Sequence, residues 1–374
     1  MRIRAARLHP YRLGLRAPLV TAHERLEARA GLLLELIAGD GTAGWGDACP
    51  IRGFGMETLE CCGEALADLA AATIGHELPG DVAALRARTE ACAPDAPGAR
   101  GALETALTDL SARVAGVSLA EKLGGAPGRR ALEISELVVG DAPAQVEASA
   151  RAAVARGFGT LKLKVAARDW RDDLARLRAL REAVPPQTRV RLDANGGWTE
   201  AAARERLADL ASLDVELIEQ PVVASQVDAL ARLRELGAVP IAADEAVASA
   251  ADVSRVVGSG AADVVVLKPA VLGGPRVAVQ AARAALEAGC GVVVTSLIDS
   301  AIGVTAAAHV AAALPSGRPA DGLATGGLLD ADVAPGPVVA AGCMRLPDGP
   351  GLGLAPDPAL LERLRRAPLR EIAR

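Results

Sequence analysis

Thr160-Leu-Lys-Leu-Lys-Val165 is the stretch from which the fold can be read, because four more of its kind follow it. They are Arg191-Leu-Asp-Ala-Asn195, Leu217-Ile-Glu-Gln-Pro221, Ala242-Ala-Asp-Glu245 and Val265-Val-Leu-Lys-Pro269. From Lys164 to Asp193, Glu219, Asp244 and Lys268 the steps are 29, 26, 25 and 24 residues, the length of one strand-plus-helix unit. Each charged residue closes a short run rich in Val, Ile or Leu, and a helical pattern then begins. This predicts a parallel (β/α) barrel whose functional groups sit at the carboxyl ends of its strands.

Outward from that stretch the alternation continues. Leu132 to Val139 is expected as the first barrel strand and Ala142 to Arg156 as its helix. Leu174, Leu177, Leu180 and Val184 recur at helical spacing after Lys164. The last two strands are expected at Gly291-Val-Val-Val-Thr-Ser296 and, shorter, near Gly322-Leu-Ala-Thr325. The fold class is therefore α/β, a modified TIM-type (β/α)7β barrel over residues 130–335. Upstream the order is different, with strands first and helices after: Ile3 to Leu15, Gly31 to Ile37 and Ala43 to Asp47, then helices over Met56–Ala72, Val82–Cys92 and Ala99–Val114. Sheet first and helices after predicts a separate α+β capping domain over residues 1–125. The segment 336–374 is Gly- and Pro-rich, ends in a short helix, and is expected to pack back on the cap. Two stretches of the cap, Val20 to Glu27 and Pro50 to Gly55, read as loops, the first polar enough to be a lid.

Bulk composition narrows the partners. At 374 residues the chain accommodates a barrel and a second, smaller domain. One Tyr, two Phe and three Trp leave few platforms for stacking on nucleic-acid bases. A net charge of −5 with both signs interspersed provides no basic stripe for phosphate backbones or anionic lipid. No membrane span and no leader segment are expected, so the address read from the sequence is cytoplasmic. The six cysteines lack a C-x-x-C spacing and read as free thiols. A small-molecule ligand is the remaining expectation, and a homo-oligomer is compatible with it.

Singly, the charged residues have bland readings. Asp193-Ala-Asn195 is a common turn, Lys162-Leu-Lys164 an ordinary solvated edge, Asp244-Glu245 and Lys268-Pro269 ordinary loops. Together they differ, because barrel strand ends converge and five consecutive ends deliver Lys, Asp, Glu, Asp, Lys. Three carboxylates brought together in a buried place repel one another and lose hydration unless a cation compensates. A set of oxygen donors without His or Cys favours Mg²⁺ over zinc, with Mn²⁺ an acceptable substitute. Beside such a metal the lysines are expected to be depressed from about 10.4 toward neutrality and to serve as bases. A base next to a metal-held carboxylate is suited to removing the proton α to that carboxylate.

These residues resemble the enolase superfamily, and within it the muconate-lactonizing-enzyme subgroup. The resemblance extends over nearly the whole chain, through Arg29-Ala-Gly31, Gly44-Trp-Gly-Asp47, Pro50-Ile-Arg-Gly-Phe-Gly55, Ala102 to Gly125 and the five barrel motifs. It implies a cap closing two loops, Thr21 to Glu27 and Arg52 to Gly55, over the substrate. It implies metal ligands Asp193, Glu219 and Asp244 with Asn195 and Glu245 beside them, and catalytic lysines Lys164 and Lys268. The substrate contacts it suggests are Lys162, Asn195, Thr21, His23, Gly53, Phe54, Ser296, Ile298 and Asp299. Asp47 departs from the subgroup, whose members usually have Glu there. Thr295 to Gly303 and Asp321 to Thr325 look most like the o-succinylbenzoate synthase family, although Asp299 stands where many of its members have Glu. The Asp-x-Asp of dipeptide epimerases is replaced by Asp321-Gly-Leu323, and the later Asp330-Ala-Asp332 reads as a helix start. The resemblance thus implies Mg²⁺-dependent dehydration of 2-succinyl-6-hydroxy-2,4-cyclohexadiene-1-carboxylate to o-succinylbenzoate, a step of menaquinone synthesis. The alternatives are an N-succinylamino-acid racemase or another racemase, epimerase or cycloisomerase of the subgroup. A non-catalytic binder of the same fold has no use for two lysines against a metal.

Overall fold

Alternating apolar and polar residues at the N-terminus form an antiparallel meander of β1 (Ile3–Val20), β2 (Arg25–Ala38) and β3 (Ala43–Ala48). The computed structural model describes residues 1–20, 25–51, 54–78, 87 and 91–372. The tight turn at Gly39-Asp-Gly41 relies on Gly41, whose φ is +89°. Of the polar stretch expected as a loop from Val20 to Glu27, the described residues, Val20 and Arg25 to Glu27, are instead strand. Leu19 pairs with Leu26 and Val20 with Arg25, so β1 and β2 run on as a long hairpin whose tip lies outside the described residues. The helix expected over Val82–Cys92 also lies largely outside them.

Helix α1 (Leu59–Thr73) starts at Thr58, whose hydroxyl accepts from the Cys61 amide. Helix α2 (Pro97–Ala115) lies directly on β3, and the sequence Gly44-Trp-Gly-Asp47 shows why it can. A methyl group on Gly46 would collide with the Ala102 carbonyl oxygen, and one on Gly44 would collide with that of Ala106. Two missing side chains therefore allow the helix backbone onto the sheet, over an aliphatic core that includes Leu34, Leu36, Leu66, Leu103 and Leu107. The short helix α3 (Leu119–Lys122) opens with a capping box of Ser118 and Glu121 and leads out of the cap.

The barrel begins with a correction. The run expected as one strand from Leu132 to Val139 divides, because its ladder partner changes along its length. Strand β4 (Ala131–Glu133) pairs antiparallel with a remote segment, and only β5 (Glu136–Val138) joins the parallel sheet. From there strands and helices alternate: α4 (Pro143–Ala155), β6 (Thr160–Lys164), α5 (Trp170–Ala183), β7 (Arg189–Asp193), α6 (Glu200–Leu210), β8 (Val215–Glu219), α7 (Val227–Arg234), β9 (Ile241–Ala243), α8 (Ala250–Gly258), β10 (Val264–Leu267), α9 (Pro275–Glu287), β11 (Gly291–Val294) and α10 (Ala301–Ala312). Strands β5 to β11 pair in sequence order, all parallel. The eighth position is reduced to Asp321-Gly322: Gly322 bridges Thr295 on one side and Asp321 bridges Ile134 on the other, which joins the two edges of the sheet. Ala324–Leu328 then forms a 3-10 turn rather than continuing the expected strand.

Beyond the barrel the chain touches both parts. Strands β12 (Val338–Ala340) and β13 (Cys343–Arg345) form a hairpin, and β13 is the partner of β4. Helix α11 (Pro358–Leu364) packs on β1, and β14 (Arg370–Ile372) pairs with β1 through Ala6, Arg7 and Leu8. No helix starts at Asp330-Ala-Asp332. Asp332 instead caps a helix from elsewhere, accepting from the Ala301 amide at the start of α10. The six cysteines are free thiols. Among the described residues no helix is long and apolar enough to cross a membrane.

Candidate active site

Period-two alternation sets the first two functional groups. Leu161 and Leu163 turn outward into the packed core, so Lys162 and Lys164 both face inward from β6. Strands β7, β8 and β9 then end at Asp193, Glu219 and Ala243, with Asp244 following at once, and Lys268 follows β10. The five charged side chains anticipated from the spacing therefore line one cavity of about 560 Å³.

Within it the charges interleave. Lys162 Nζ donates to Glu219 Oε1 at 2.6 Å and lies 3.0 Å from Asp193 Oδ2. Lys164 Nζ donates to Asp193 Oδ2 at 2.9 Å and to Asn195 Oδ1 at 2.7 Å. Lys268 Nζ donates to Asp244 Oδ1 and also sits over the ring of Phe54, 4.2 Å from its centroid. Asn195 turns its amide to Glu245 Oε1 at 3.0 Å. Asp193, Glu219, Asp244 and Lys268 are all buried.

Burial pushes the Glu219 carboxyl up to about 7, with Asp193 and Asp244 adding to the shift and Lys162 opposing it. Burial also raises Asp244 against Lys268, and it raises Glu245, where the charge of Asp193 contributes. For Asp193 burial acts in the same sense, but Lys162 and Lys164 outweigh it and hold that carboxyl well below the usual range. Lys162 shows the reverse balance: burial disfavours its charge, yet Asp193, Glu219 and Asp244 raise it.

Whether these residues suit a divalent cation can be tested on the same geometry. The donors are carboxylate oxygens, and Glu245 Oε2 is buried without a hydrogen-bond partner among the described residues. Glu219 and Asp244 are pushed upward, first by burial and then by neighbouring carboxylates, against the opposing charges of Lys162 and Lys268, so a bound cation would favour their charged forms. Among the described residues no three His, Cys, Asp or Glu side chains already stand in clasping geometry, since each ring carboxylate is drawn onto an ammonium. Donor chemistry and charge fit a hard cation.

The remaining expectations divide. Phe54, Lys162, Asn195, Ser296 and Ile298 line the cavity. Thr21, His23 and Gly53 lie outside the described residues. Asp299 is corrected: it does not line this cavity, because its Oδ2 turns back to accept from the Leu297 amide and the carboxyl is buried near Arg29 and Asp47. Asp321 does not line it either, being held by Arg318 and the Val294 amide. Leu19 and Leu26, from the hairpin, are wall residues that the sequence reading missed. Their facing positions in β1 and β2 would have been visible only once the pairing register was known. Gln220 was also missed. Fully buried, it accepts from the amides of Asp244 at 2.9 Å and Ala246 at 3.1 Å, and so fixes the residue that carries a ring carboxylate.

A parallel barrel with an acidic ring at its strand ends and an antiparallel cap over the mouth defines a class, and the chain belongs to the enolase superfamily: residues 145–360 match the enolase C-terminal domain-like family. Residues 3–81 match the MenC N-terminal domain family. Within the superfamily the chain is similar to the muconate-lactonizing-enzyme subgroup and to o-succinylbenzoate synthases. The o-succinylbenzoate synthase of Thermobifida fusca (strain YX) is 44% identical over 195 residues, 52% of this chain and 60% of that protein, so the match spans under two thirds of the relative. The L-Ala-D/L-Glu epimerase of Bacillus subtilis (strain 168) is 32% identical over 346 residues, 91% of this chain and 93% of that one. The solved structure of muconate lactonizing enzyme from Pseudomonas fluorescens, in complex with muconolactone, superimposes with a TM-score of 0.92 at 28% identity, covering 98% of this chain and 99% of that one.

Proposed function

We propose that the protein is a carbon–oxygen lyase that dehydrates 2-succinyl-6-hydroxy-2,4-cyclohexadiene-1-carboxylate to o-succinylbenzoate. The observation that carries this reading is the pair Lys164 and Lys268, on either side of three buried carboxylates in a cavity whose other walls include Leu19, Leu26, Phe54 and Leu297. Such walls suit a ring that becomes aromatic. Lys164, released from Asp193, takes the proton α to the ring carboxylate; the hydroxyl on the neighbouring ring carbon departs, and the two together amount to one water. Lys268, steadied by the Phe54 ring, adds positive charge from the far side. Asp193, Glu219 and Asp244 would hold Mg²⁺, with Asn195 and Glu245 beside them. Bound there, the ion would supply the charge against which the substrate carboxylate becomes more negative.

A second reading is favoured by the epimerase relative, which matches more of the chain than the synthase does. In a racemase or epimerase both lysines exchange protons, one on each face. Asp321 is buried and engaged by Arg318, and Leu323 is buried, so a dipeptide's ammonium group finds neither as a carboxylate partner in the cavity. An N-succinylamino acid, which has no such charge, is the better substrate for that reading.

Absorbance of the cyclohexadiene distinguishes them. With Mg²⁺ the absorbance is expected to fall, with chelator it persists, and Lys164→Ala is expected to lose at least about 10²-fold in rate. Lys268→Arg is expected to keep part of the dehydration and to lose racemisation of N-succinylamino acids. Persistence of the absorbance with wild-type protein and Mg²⁺ would remove the lyase reading.

A further inference from the structure

Arg29 is buried in the cap, yet among the described residues it makes no hydrogen bond to a carboxylate. Its guanidinium is spent on three backbone carbonyls: Cys49 at 2.5 Å, Pro50 at 3.3 Å and Ile298 at 3.4 Å. The first two begin the cap loop that carries Ile51 and Phe54, and the third belongs to the barrel loop after β11. Both loops contribute to the cavity wall. A charge this well buried is retained only where its donors are well used.

The barrel loop needs such support. Ile298 has φ +63°, a left-handed conformation that a β-branched residue adopts only when its surroundings impose it. A second tie from the cap holds the other end of the same loop. Asp47 Oδ2 accepts from the Ser300 amide at 3.0 Å and from its hydroxyl at 2.8 Å, while Asp47 Oδ1 accepts from Tyr11 at 2.7 Å. Two glycines make room for this network: a methyl on Gly31 would collide with the Tyr11 hydroxyl oxygen, and one on Gly303 would stand 2.8 Å from Asp47 Oδ2. Ile298 and Ser300 are therefore both tied to the cap, and Leu297 directly precedes the first of these ties.

We infer that Arg29, seconded by Asp47, is a positioning residue through which the cap sets the Leu297–Ile298 wall, so that substrate selection by the barrel depends on a buried cap cation. The inference rests on the proposed function only in taking that wall to face substrate. Arg29 touches no reacting atom, so its loss acts on recognition rather than on the proton transfer at Lys164.

Arg29→Met and Arg29→Lys test this, with Mg²⁺ present, by steady-state kinetics on the cyclohexadiene and by amide hydrogen exchange read by mass spectrometry. Arg29→Met is expected to raise KM at least about 10-fold with kcat within about threefold, and Arg29→Lys to recover part of the loss. In an Ile298→Gly background, where the left-handed conformation no longer needs support, Arg29→Met is expected to change KM by less than about twofold. Exchange across residues 297–301 is expected to quicken in Arg29→Met while α5 and α6 exchange as before. Unchanged exchange in that segment, or the same KM increase in both backgrounds, overturns the inference. Should the wild-type protein leave the cyclohexadiene untouched, the lyase reading fails, and the exchange experiment still decides the clamp.

Discussion

Gln220 carries no charge, but its single side-chain oxygen determines where a ring carboxylate stands. It takes two buried amides, of Asp244 and Ala246, while its nitrogen donates to the Val222 carbonyl at 2.8 Å. Its own backbone is left-handed, with φ +39°. Replacement by Leu would keep the volume and abandon both amides in a place that water does not reach. Each unsatisfied amide costs about 1–3 kcal/mol, so Gln220→Leu is expected to lower stability by about 3 kcal/mol in urea unfolding. If the ring holds the proposed Mg²⁺, the same substitution is expected to weaken its binding in titration calorimetry, because Asp244 loses its fixed place. A variant as stable as the parent would show that ordered water replaces the side chain. Lys164 and Gln220 thus illustrate two kinds of residue around the candidate site, one legible as a cavity residue by its charge at a strand end and the other hidden because its chemistry is generic.

At the level of elements, α10 joins the parts of the molecule through one histidine. His309 Nδ1 accepts from the Ala120 amide in α3, and Nε2 faces the Leu352 carbonyl at 3.2 Å, which requires the proton on Nε2. Burial lowers its pKa to about 4. An unfolded histidine titrates near 6.5, so between these values the unfolded chain holds a proton that the folded one does not. Stability therefore rises with pH across that window and is lost as pH falls from about 6.5 to about 4, by about 3 kcal/mol in all. His309→Gln is expected to flatten this part of the pH profile of thermal unfolding, and a profile of unchanged slope would assign the titration elsewhere. Nothing in the alanine-rich sequence around His309 names its partners, which lie 189 and 43 residues away. The same limit explains the other misreadings. A single apolar run from Leu132 to Val139 contains two strands because β13, far along the chain, claims the first of them. Asp332 looked like the start of a helix and does cap one, but the helix is α10. What the sequence did make legible was the repeat itself, since each βα unit places one charged residue at the same point of its period.

On the scale of the whole molecule, the two ends of the chain complete one sheet. β1 is 18 residues long, and its side away from β2 is masked piecewise by remote segments. Ala6 to Leu8 pair with β14, Tyr11 bridges Arg365, and Leu15 bridges Leu329. Without these covers β1 is a long exposed edge, the kind of surface on which other chains add strands. Deletion of residues 355–374 would remove two of the three and expose the face against which Leu364 is buried. The loss of that side chain's burial is worth about 2 kcal/mol, and the broken ladder adds to it. The barrel's own strands do not involve this segment, so its ring of charges should survive the deletion. The expected outcome is a melting temperature roughly 5 °C lower, with any affinity of the parent chain for the proposed Mg²⁺ retained. Size-exclusion chromatography should show association that grows with protein concentration, beyond whatever the full-length chain shows. A truncated protein that melts and elutes like the full-length chain would mean that β1 needs no cover, and that the return of the C-terminus to the cap serves another purpose.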